Sequence, residues 1–312
     1  VDRDLWLSRR TFRGADFDPR EMASLAAARG ERISVCLPAL NVEDTVGPIV
    51  AAIRRELMDR IPLVHEVVVV DSDSGDETRS RAEAAGARVV RARDVLPHLP
   101  PGRGKGEALW KSLAVVEGDV VVWLDSDVTD PDPAFVTGLV GPLLTDDAVS
   151  YVKAVYRRAL GDTADGGGRV TEICARPLLN LFYPELTGLA QPLSGEAAGR
   201  REVLLDLPFF SGYAVEIGLL IDLVGRRGLD ALAQVDLGAR RHTNQSTSAL
   251  GAMASTITQA VLTRLADEGR APRDLSSRGD YLRPTRNGRG WVMTSTDTRP
   301  AERPPMREVL EA

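Results

Sequence analysis

The chain has 312 residues, 43% apolar and 27% charged, a balance that supports a sizeable core and excludes disorder as the main state. Its net charge of −6 argues against a general polyanion binder and against nucleic acid as a partner, so any bound phosphate must be gripped locally. Lys105, Lys111 and Lys153 are the only lysines, arginine supplying the other cations, and Cys36 and Cys174 lack a framework spacing and sit among apolar neighbours. They read as reduced, buried thiols of a cytoplasmic protein.

Residues 1–30 carry no apolar leader and read as an N-terminal arm. The longest uncharged apolar runs, Val67–Val70 and Val120–Leu124, fall far short of the roughly 18 residues that span a bilayer, so no membrane partner is expected. Ile33–Leu37 predicts a strand ending at Pro38, followed by a helix with Val46, Ile49, Val50, Ile53 and Leu57 on one face. Glu66–Val70 predicts a second strand, stopped by a polar turn from Asp71 to Asp76 that caps a helix ending near Gly86. Arg88–Val90 is a third strand. A Pro/Gly-rich loop, Pro97–Gly104, leads to a helix with Leu109, Leu113 and Val116, and Gly118 separates it from a strand at Val120–Leu124. Further on come a helix near Pro133–Leu144, a strand at Ser150–Arg157, a helix opened by the loop Gly161–Gly168, helices at Val215–Arg226 and Leu250–Leu265, and a short strand at Ala233–Leu237. From Asp267 onward the composition predicts an irregular C-terminal arm.

Strands alternating with helices predict an α/β fold with a parallel sheet, whose ligands lie at the carboxyl ends of the strands. Three polar clusters follow such ends. Asp125-Ser126-Asp127 places two hard oxygen donors one residue apart, suited to a divalent cation and the diphosphate it neutralises, although acids also end strands simply as turn formers. Pro38-Ala39-Leu40-Asn41 replaces the glycine-rich turn of a dinucleotide site, which excludes a nicotinamide fingerprint on the first strand. Asp71-Ser72-Asp73 suits a base or ribose and equally a helix-capping turn. Lys105, just ahead of its helix, can face a phosphate together with the first-turn amides, but its loop is not a Walker motif. Gly166-Gly167-Gly168-Arg169 opens a helix with free amides and a guanidinium, and Thr171 adds a hydroxyl, a combination that suits an anion. His242, with Arg240, Arg241 and Asn244, follows a predicted strand.

The same motifs, in the same order, resemble the glucosyl- and mannosyl-3-phosphoglycerate synthases. The resemblance is carried by Pro38–Asn41, the Asp71 cluster, Pro101–Trp110, Asp125–Asp127, Gly166–Arg169, Gln191–Glu196 and Gly212–Gly218, and spans Ile33 to Met253. It implies a GT-A nucleotide-sugar-binding sheet with a C-terminal acceptor-binding part: residues 31–160 for the donor, 161–266 for the acceptor, and a C-terminal arm at 267–312. It also implies a retaining hexosyltransferase that acts on 3-phosphoglycerate with Mg2+ or Mn2+; a homodimer is the expected assembly. Carried over position by position, Pro38, Ala39, Leu40, Asn41, Asp71 and Ser72 would meet the nucleotide, and Lys105 the donor phosphates. Asp125, Ser126, Asp127 and His242 would serve the nucleotide sugar and metal, Glu216 the sugar hydroxyls, and Leu193 the sugar face. Gly168, Arg169, Thr171, Arg240 and Asn244 would seat the acceptor's phosphate and carboxylate. Members that use UDP-glucose resemble Pro-Ala-Leu-Asn-Glu-Glu, whereas Val42 follows Asn41 here, and this departure leans the expectation to GDP-mannose, with UDP- or GDP-glucose as the alternative.

Other readings fit less well. A membrane-bound polymerising glycosyltransferase needs transmembrane helices and a Gln-x-x-Arg-Trp motif, and a nucleotidylyltransferase needs a glycine-rich, arginine-bearing loop after the first strand. A silent nucleotide-sugar-binding module would not require both the acidic pair and the anion seat.

Overall fold

Consecutive apolar residues along the strands have to be covered on both faces, and the computed structural model shows how. It describes residues 3–158, 168–240, 247–274, 279–287 and 290–312. Nine strands matter for the site: β1 (Thr11–Arg13), β2 (Ile33–Ala39), β3 (Glu66–Asp71), β4 (Arg88–Arg91), β5 (Val120–Trp123), β6 (Tyr151–Arg158), β7 (Ala197–Arg200), β8 (Phe209–Phe210) and β9 (Leu232–Arg240). Eight of them form one sheet in the order β1-β9-β6-β7-β5-β2-β3-β4. Pairing is parallel throughout except at β7, which runs antiparallel to both β5 and β6. The expected parallel α/β sheet is therefore present, with one reversed strand.

One face of the sheet, through Val35, Leu37, Val67, Val69, Val120 and Val122, packs under helices Pro19–Arg29, Val46–Arg54 and Ala134–Thr145. The other, through Cys36, Val68, Val70, Val121 and Trp123, packs under helices Lys105–Val115, Arg176–Phe182, Val215–Arg227 and Thr247–Asp267. Both cysteines are free, and burial pushes the Cys36 thiol up to about 12, so it behaves as a small core hydrophobe. No helix among the described residues is long and apolar enough to cross a membrane.

Several expected elements are longer than the sequence pattern indicates. β2 runs through Pro38 to Ala39 because its pairing to β5 has already ended at Cys36, so the missing proline N–H leaves no gap on that side. β9 extends over nine residues rather than five. β7, Ala-Ala-Gly-Arg, was not foreseen, since small residues carry little strand propensity and its place is fixed by neighbours on both sides. The described part of the expected N-terminal arm carries regular structure: Asp18 caps helix Pro19–Arg29 by accepting from the Arg20 and Glu21 amides, and Gly30 closes it at φ 66°. The expectation of an irregular C-terminal arm is corrected. Asp280–Asn287 and Gly290–Asp297 form an antiparallel hairpin, Glu302–Arg303 pairs with β8, and Met306–Leu310 is a helix whose Met306 is buried in the core.

Candidate active site

β5 is buried along its whole length and delivers Asp125, Ser126 and Asp127 to the carboxyl edge of the sheet. The Ser126 hydroxyl donates to the Pro38 carbonyl at 2.6 Å, and the Ser126 carbonyl accepts from the Thr45 hydroxyl at 2.5 Å. The two aspartates are thus held on either side of a fixed pivot. Asp125 faces inward. Asp127 is exposed and forms no hydrogen bond or ion pair with another described residue.

Lys105 is set by two close backbone approaches. Gly104 adopts φ 84° and lies against Gly212, and a Cβ on Gly106 would come within 2.0 Å of the Phe210 carbonyl oxygen, so only glycine lets the helix start this near to β8. From there the Lys105 ammonium donates to Asp125 Oδ1 at 2.5 Å and to the Gly195 carbonyl at 3.1 Å, and stands 3.3 Å from Glu216 Oε1. Burial opposes its charge, but Asp125 and Glu216 outweigh that cost and hold its pKa above the ordinary lysine value. Glu216 is 8% exposed, in the first turn of helix Val215–Arg227. The turn Leu193-Ser194-Gly195 is held from a second side by Lys153, whose buried ammonium donates to the Ser194 carbonyl at 2.5 Å.

These groups open into one cleft of about 960 Å³. Its lining includes Pro38, Ala39, Leu40 and Ser72 at the ends of β2 and β3, the central group Lys105, Asp125, Ser126, Asp127 and Glu216, and Gly168, Arg169, Thr171 and Leu193. Gly168, at φ 78°, begins the helical stretch, its carbonyl accepting from the Glu172 amide at 3.2 Å, and Thr171 is buried in the first turn. The structure therefore brings the acidic pair and the glycine-led helix start into a single cavity. Charge decides what the centre attracts. Asp125, Asp127 and Glu216 against the single ammonium of Lys105 leave it net negative, and the hard oxygens of Asp125 and Asp127 fit a divalent cation. Among the described residues no three acids, histidines or cysteines make a complete metal cluster.

Two expected residues stand apart from the cleft wall. Asp71 is fully buried, its Oδ1 accepting from the Ser74 amide at 3.2 Å and its Oδ2 standing 3.7 Å from Arg79. Asn41, at φ 53°, accepts from the Gly75 amide and donates its own amide to the Ser74 hydroxyl. Both knit the ends of β2 and β3 into the frame that presents Leu40 and Ser72. Arg240 ends β9, with its side chain outside the described set; His242 and Asn244, with Gly166 and Gly167, lie outside the described residues.

Other cleft residues had no assigned part in the sequence reading. Tyr213 lies on the wall before Glu216, 46% exposed. Arg93 and Asp73, both in the wall, pair at 2.8 Å. Lys111 donates to the Ala92 carbonyl at 2.6 Å and lies 3.4 Å from Glu107, both also in the wall. The signal was available in the rarity of lysine: two of the three line the cleft and the third holds the Leu193 turn.

Residues 34–206 match glycosyl transferase family 2. Over 308 residues, covering 97% of this chain and 95% of the relative, the chain is 44% identical to a glucosyl-3-phosphoglycerate synthase of Petrotoga mobilis. It is 46% identical over 315 residues to another from Mycolicibacterium paratuberculosis, covering 98% and 92%. Among solved structures, a mannosyl-3-phosphoglycerate synthase from Rubrobacter xylanophilus superposes with TM-score 0.92 at 39% identity, covering 99% of this chain and 98% of the other. The glucosyl-3-phosphoglycerate synthase of Mycobacterium tuberculosis, solved with Mn2+, uridine diphosphate and glucosyl-3-phosphoglycerate, gives TM-score 0.83 at 44% identity, covering 94% and 96%. With its sheet, cleft and near full-length likeness in agreement, the chain belongs to glycosyl transferase family 2 and, within it, to the glucosyl- and mannosyl-3-phosphoglycerate synthases, hexosyltransferases of GT-A fold.

Proposed function

We propose that the protein transfers glucose from UDP-glucose to D-3-phosphoglycerate with retention at the anomeric carbon. The observation that carries the reading is the joint opening of the Lys105–Asp125–Glu216 centre and the Gly168–Thr171 helix start into one cleft, since a transfer needs donor and acceptor in contact. The glucose assignment is supported by relatives of 44% and 46% identity named for glucosyl transfer, and by the M. tuberculosis enzyme, which has also been solved with Mn2+, UDP-glucose and phosphoglyceric acid. The expectation of GDP-mannose gives way to this alternative. It rested on Val42, and the structure places Val42 in the cleft wall while the Glu43 carboxylate accepts from the Glu77 amide at 2.8 Å. Replacing an acid by valine there leaves an apolar lip, with no added group that would select guanine. Mannose transfer is a second reading, favoured by the backbone likeness to the R. xylanophilus enzyme.

In this reading Leu40 and Ser72 border the base and ribose, and Lys105 faces the diphosphate. Asp125 and Asp127 would hold Mg2+ or Mn2+, with His242 added by resemblance. When bound, the ion neutralises charge that develops on the leaving diphosphate. Glu216 accepts from sugar hydroxyls and keeps Lys105 charged, while the Leu193 turn supports the sugar face. Arg169, Thr171 and the amides after Gly168 bind the acceptor's anionic ends, with Arg240 and Asn244 assigned by resemblance. The acceptor hydroxyl attacks the anomeric carbon from the face the diphosphate leaves. The carbon–oxygen bond to phosphate breaks, the new glycosidic bond forms, and the hydroxyl proton passes to the departing phosphate oxygen. The free thiols are consistent with a cytoplasmic setting, and a homodimer belongs to the same reading.

Purified protein incubated with 3-phosphoglycerate, Mg2+ and, in turn, UDP-glucose, GDP-glucose and GDP-mannose provides the test. Highest kcat/KM is expected with UDP-glucose, and activity is lost on chelation. A preference for GDP-mannose would establish the second reading, and no nucleotide release from any donor would reject transfer.

A further inference from the structure

The C-terminal segment crosses behind the donor side of the cleft, and one side chain joins it to that wall. Arg303 is fixed to β8 by strand pairing, and the preceding Ala301 exchanges hydrogen bonds with Ser211: its carbonyl accepts from the Ser211 amide at 2.7 Å and its amide donates to the Ser211 hydroxyl at 3.1 Å. The Arg303 guanidinium donates to both oxygens of Glu107, Nε to Oε2 at 2.7 Å and Nη2 to Oε1 at 2.9 Å. Nη2 also donates to the Pro100 carbonyl at 2.6 Å, within the loop that leads to Lys105. The guanidinium stands 5.3 Å from the Trp110 ring, whose indole N–H donates to the Pro304 carbonyl at 2.8 Å. Glu107 is 2% exposed and also meets Lys111, which grips the Ala92 carbonyl. The space is full: a Cβ on Gly102 would lie 2.2 Å from Glu107 Oε2 and 2.6 Å from Arg303 Nη2.

Glu107 is thus a buried acid with two cationic partners on different pieces of chain. A bidentate arginine fixes both distance and plane of a carboxylate, which an ammonium does not. Remote from Lys105 in sequence, Arg303 reaches the loop before it and the helix that carries it.

We propose that Arg303 is a positioning residue for the donor side of the cleft, acting through Glu107 and the Pro100 carbonyl to hold the 97–104 loop and the Lys105 helix start where they meet the nucleotide sugar's diphosphate. The inference deepens the reading of that side as the donor site and rests on it.

The test uses the full chain as Arg303→Met, Arg303→Lys, the double variant Glu107→Gln/Arg303→Met, and Arg307→Ala as a control. Arg307 lies on the same segment but pairs with Asp206 and the Glu202 carbonyl, away from the cleft. The double variant removes both charges, so it stays informative if the single methionine variant fails to fold with Glu107 short of a partner. Hydrogen exchange across 97–104 is expected to quicken in the methionine variants, and not in Arg307→Ala. The Kd for uridine diphosphate with Mg2+ and the KM for UDP-glucose are expected to rise about tenfold in the methionine variants, while the KM for 3-phosphoglycerate stays within about twofold. Arg303→Lys should fall between, keeping the charge but not the fork. Unchanged exchange and uridine diphosphate affinity in the double variant would overturn the proposal, as would equal weakening of both substrates or an equal loss in Arg307→Ala. Wild-type protein that binds no uridine diphosphate would instead reject the donor reading and, with it, Arg303's service to the donor.

Discussion

Gly195 shows how tightly single residues bound the centre. A Cβ there would lie 2.2 Å from Asp125 Oδ2 and 2.4 Å from Lys105 Nζ, so a methyl group must separate the ion pair or push back the turn that carries Leu193. Gly195→Ala is expected to lower kcat by about 100-fold, the scale of a displacement near one ångström, with thermal unfolding little changed. Gly225→Ala is the matching control: it lies on an exposed turn of helix Val215–Arg227 with open space around it, so activity should be unaffected and stability equal or slightly higher. Equal loss of activity in both would sink the steric argument. At this scale the sequence identified Asp125, Asp127, Lys105 and Glu216 as residues of interest. It could not show that a lone glycine touches two of them, because that contact spans 90 positions between Lys105 and Gly195.

At the scale of elements, the helical stretch after Gly168 is the part most readily read in advance. Gly168, in a left-handed conformation, begins it, and Arg169 adds a guanidinium in its first turn, a combination that favours a compact anion. Arg169→Ala is expected to raise the KM for 3-phosphoglycerate roughly 10- to 100-fold, the equivalent of losing a charge-assisted hydrogen bond of about 1.5–3 kcal/mol, while the KM for the nucleotide sugar changes little. Steady-state kinetics with each substrate varied in turn checks this, and a rise in donor KM alone would move Arg169 to the other side of the cleft. Elements with strong apolar runs, such as Glu66–Asp71 and Val120–Trp123, were legible because burial on both faces writes itself into consecutive valines. Ala197–Arg200 and Glu302–Arg303 were not, because each is a strand only by virtue of the partner it finds. Asp71 and Asn41 illustrate the same limit: polar letters at strand ends suit ligand or turn alike, and their hydrogen bonds go to the turn.

Across the whole molecule, the end of the sheet opposite the cleft is tied together by one acid. Glu66, at the start of β3, accepts from the Ser34 hydroxyl of β2 and the Glu117 amide ahead of β5, each at 2.6 Å, and from Arg88 of β4 at 2.5 Å. Burial opposes its ionisation, but these donors prevail and hold its pKa below the ordinary 4.5. A depressed carboxylate stabilises the fold above its unfolded pKa and loses that contribution as pH falls through the folded value. The stability gap between wild type and Glu66→Gln is therefore expected to be full near neutrality and to narrow on acidification below about 4.5, as followed by urea unfolding at several pH values. A gap that stays constant with pH would remove Glu66 from the acid response.

By itself, the sequence determined the alternation of strand and helix, the carboxyl-edge position of the polar clusters, and the residue types suited to a metal, a diphosphate and an anionic acceptor. These follow from periodicity and side-chain chemistry, which act over a few neighbours. Only the tertiary structure decided that the clusters share one cleft, that a Cβ at Gly195 would displace Asp125 and Lys105, and that a C-terminal segment read as irregular supplies Arg303 to Glu107, on the helix that Lys105 begins. Such contacts join residues far apart along the chain, and their energy comes from burial and hydrogen bonding that exist only once the sheet has assembled.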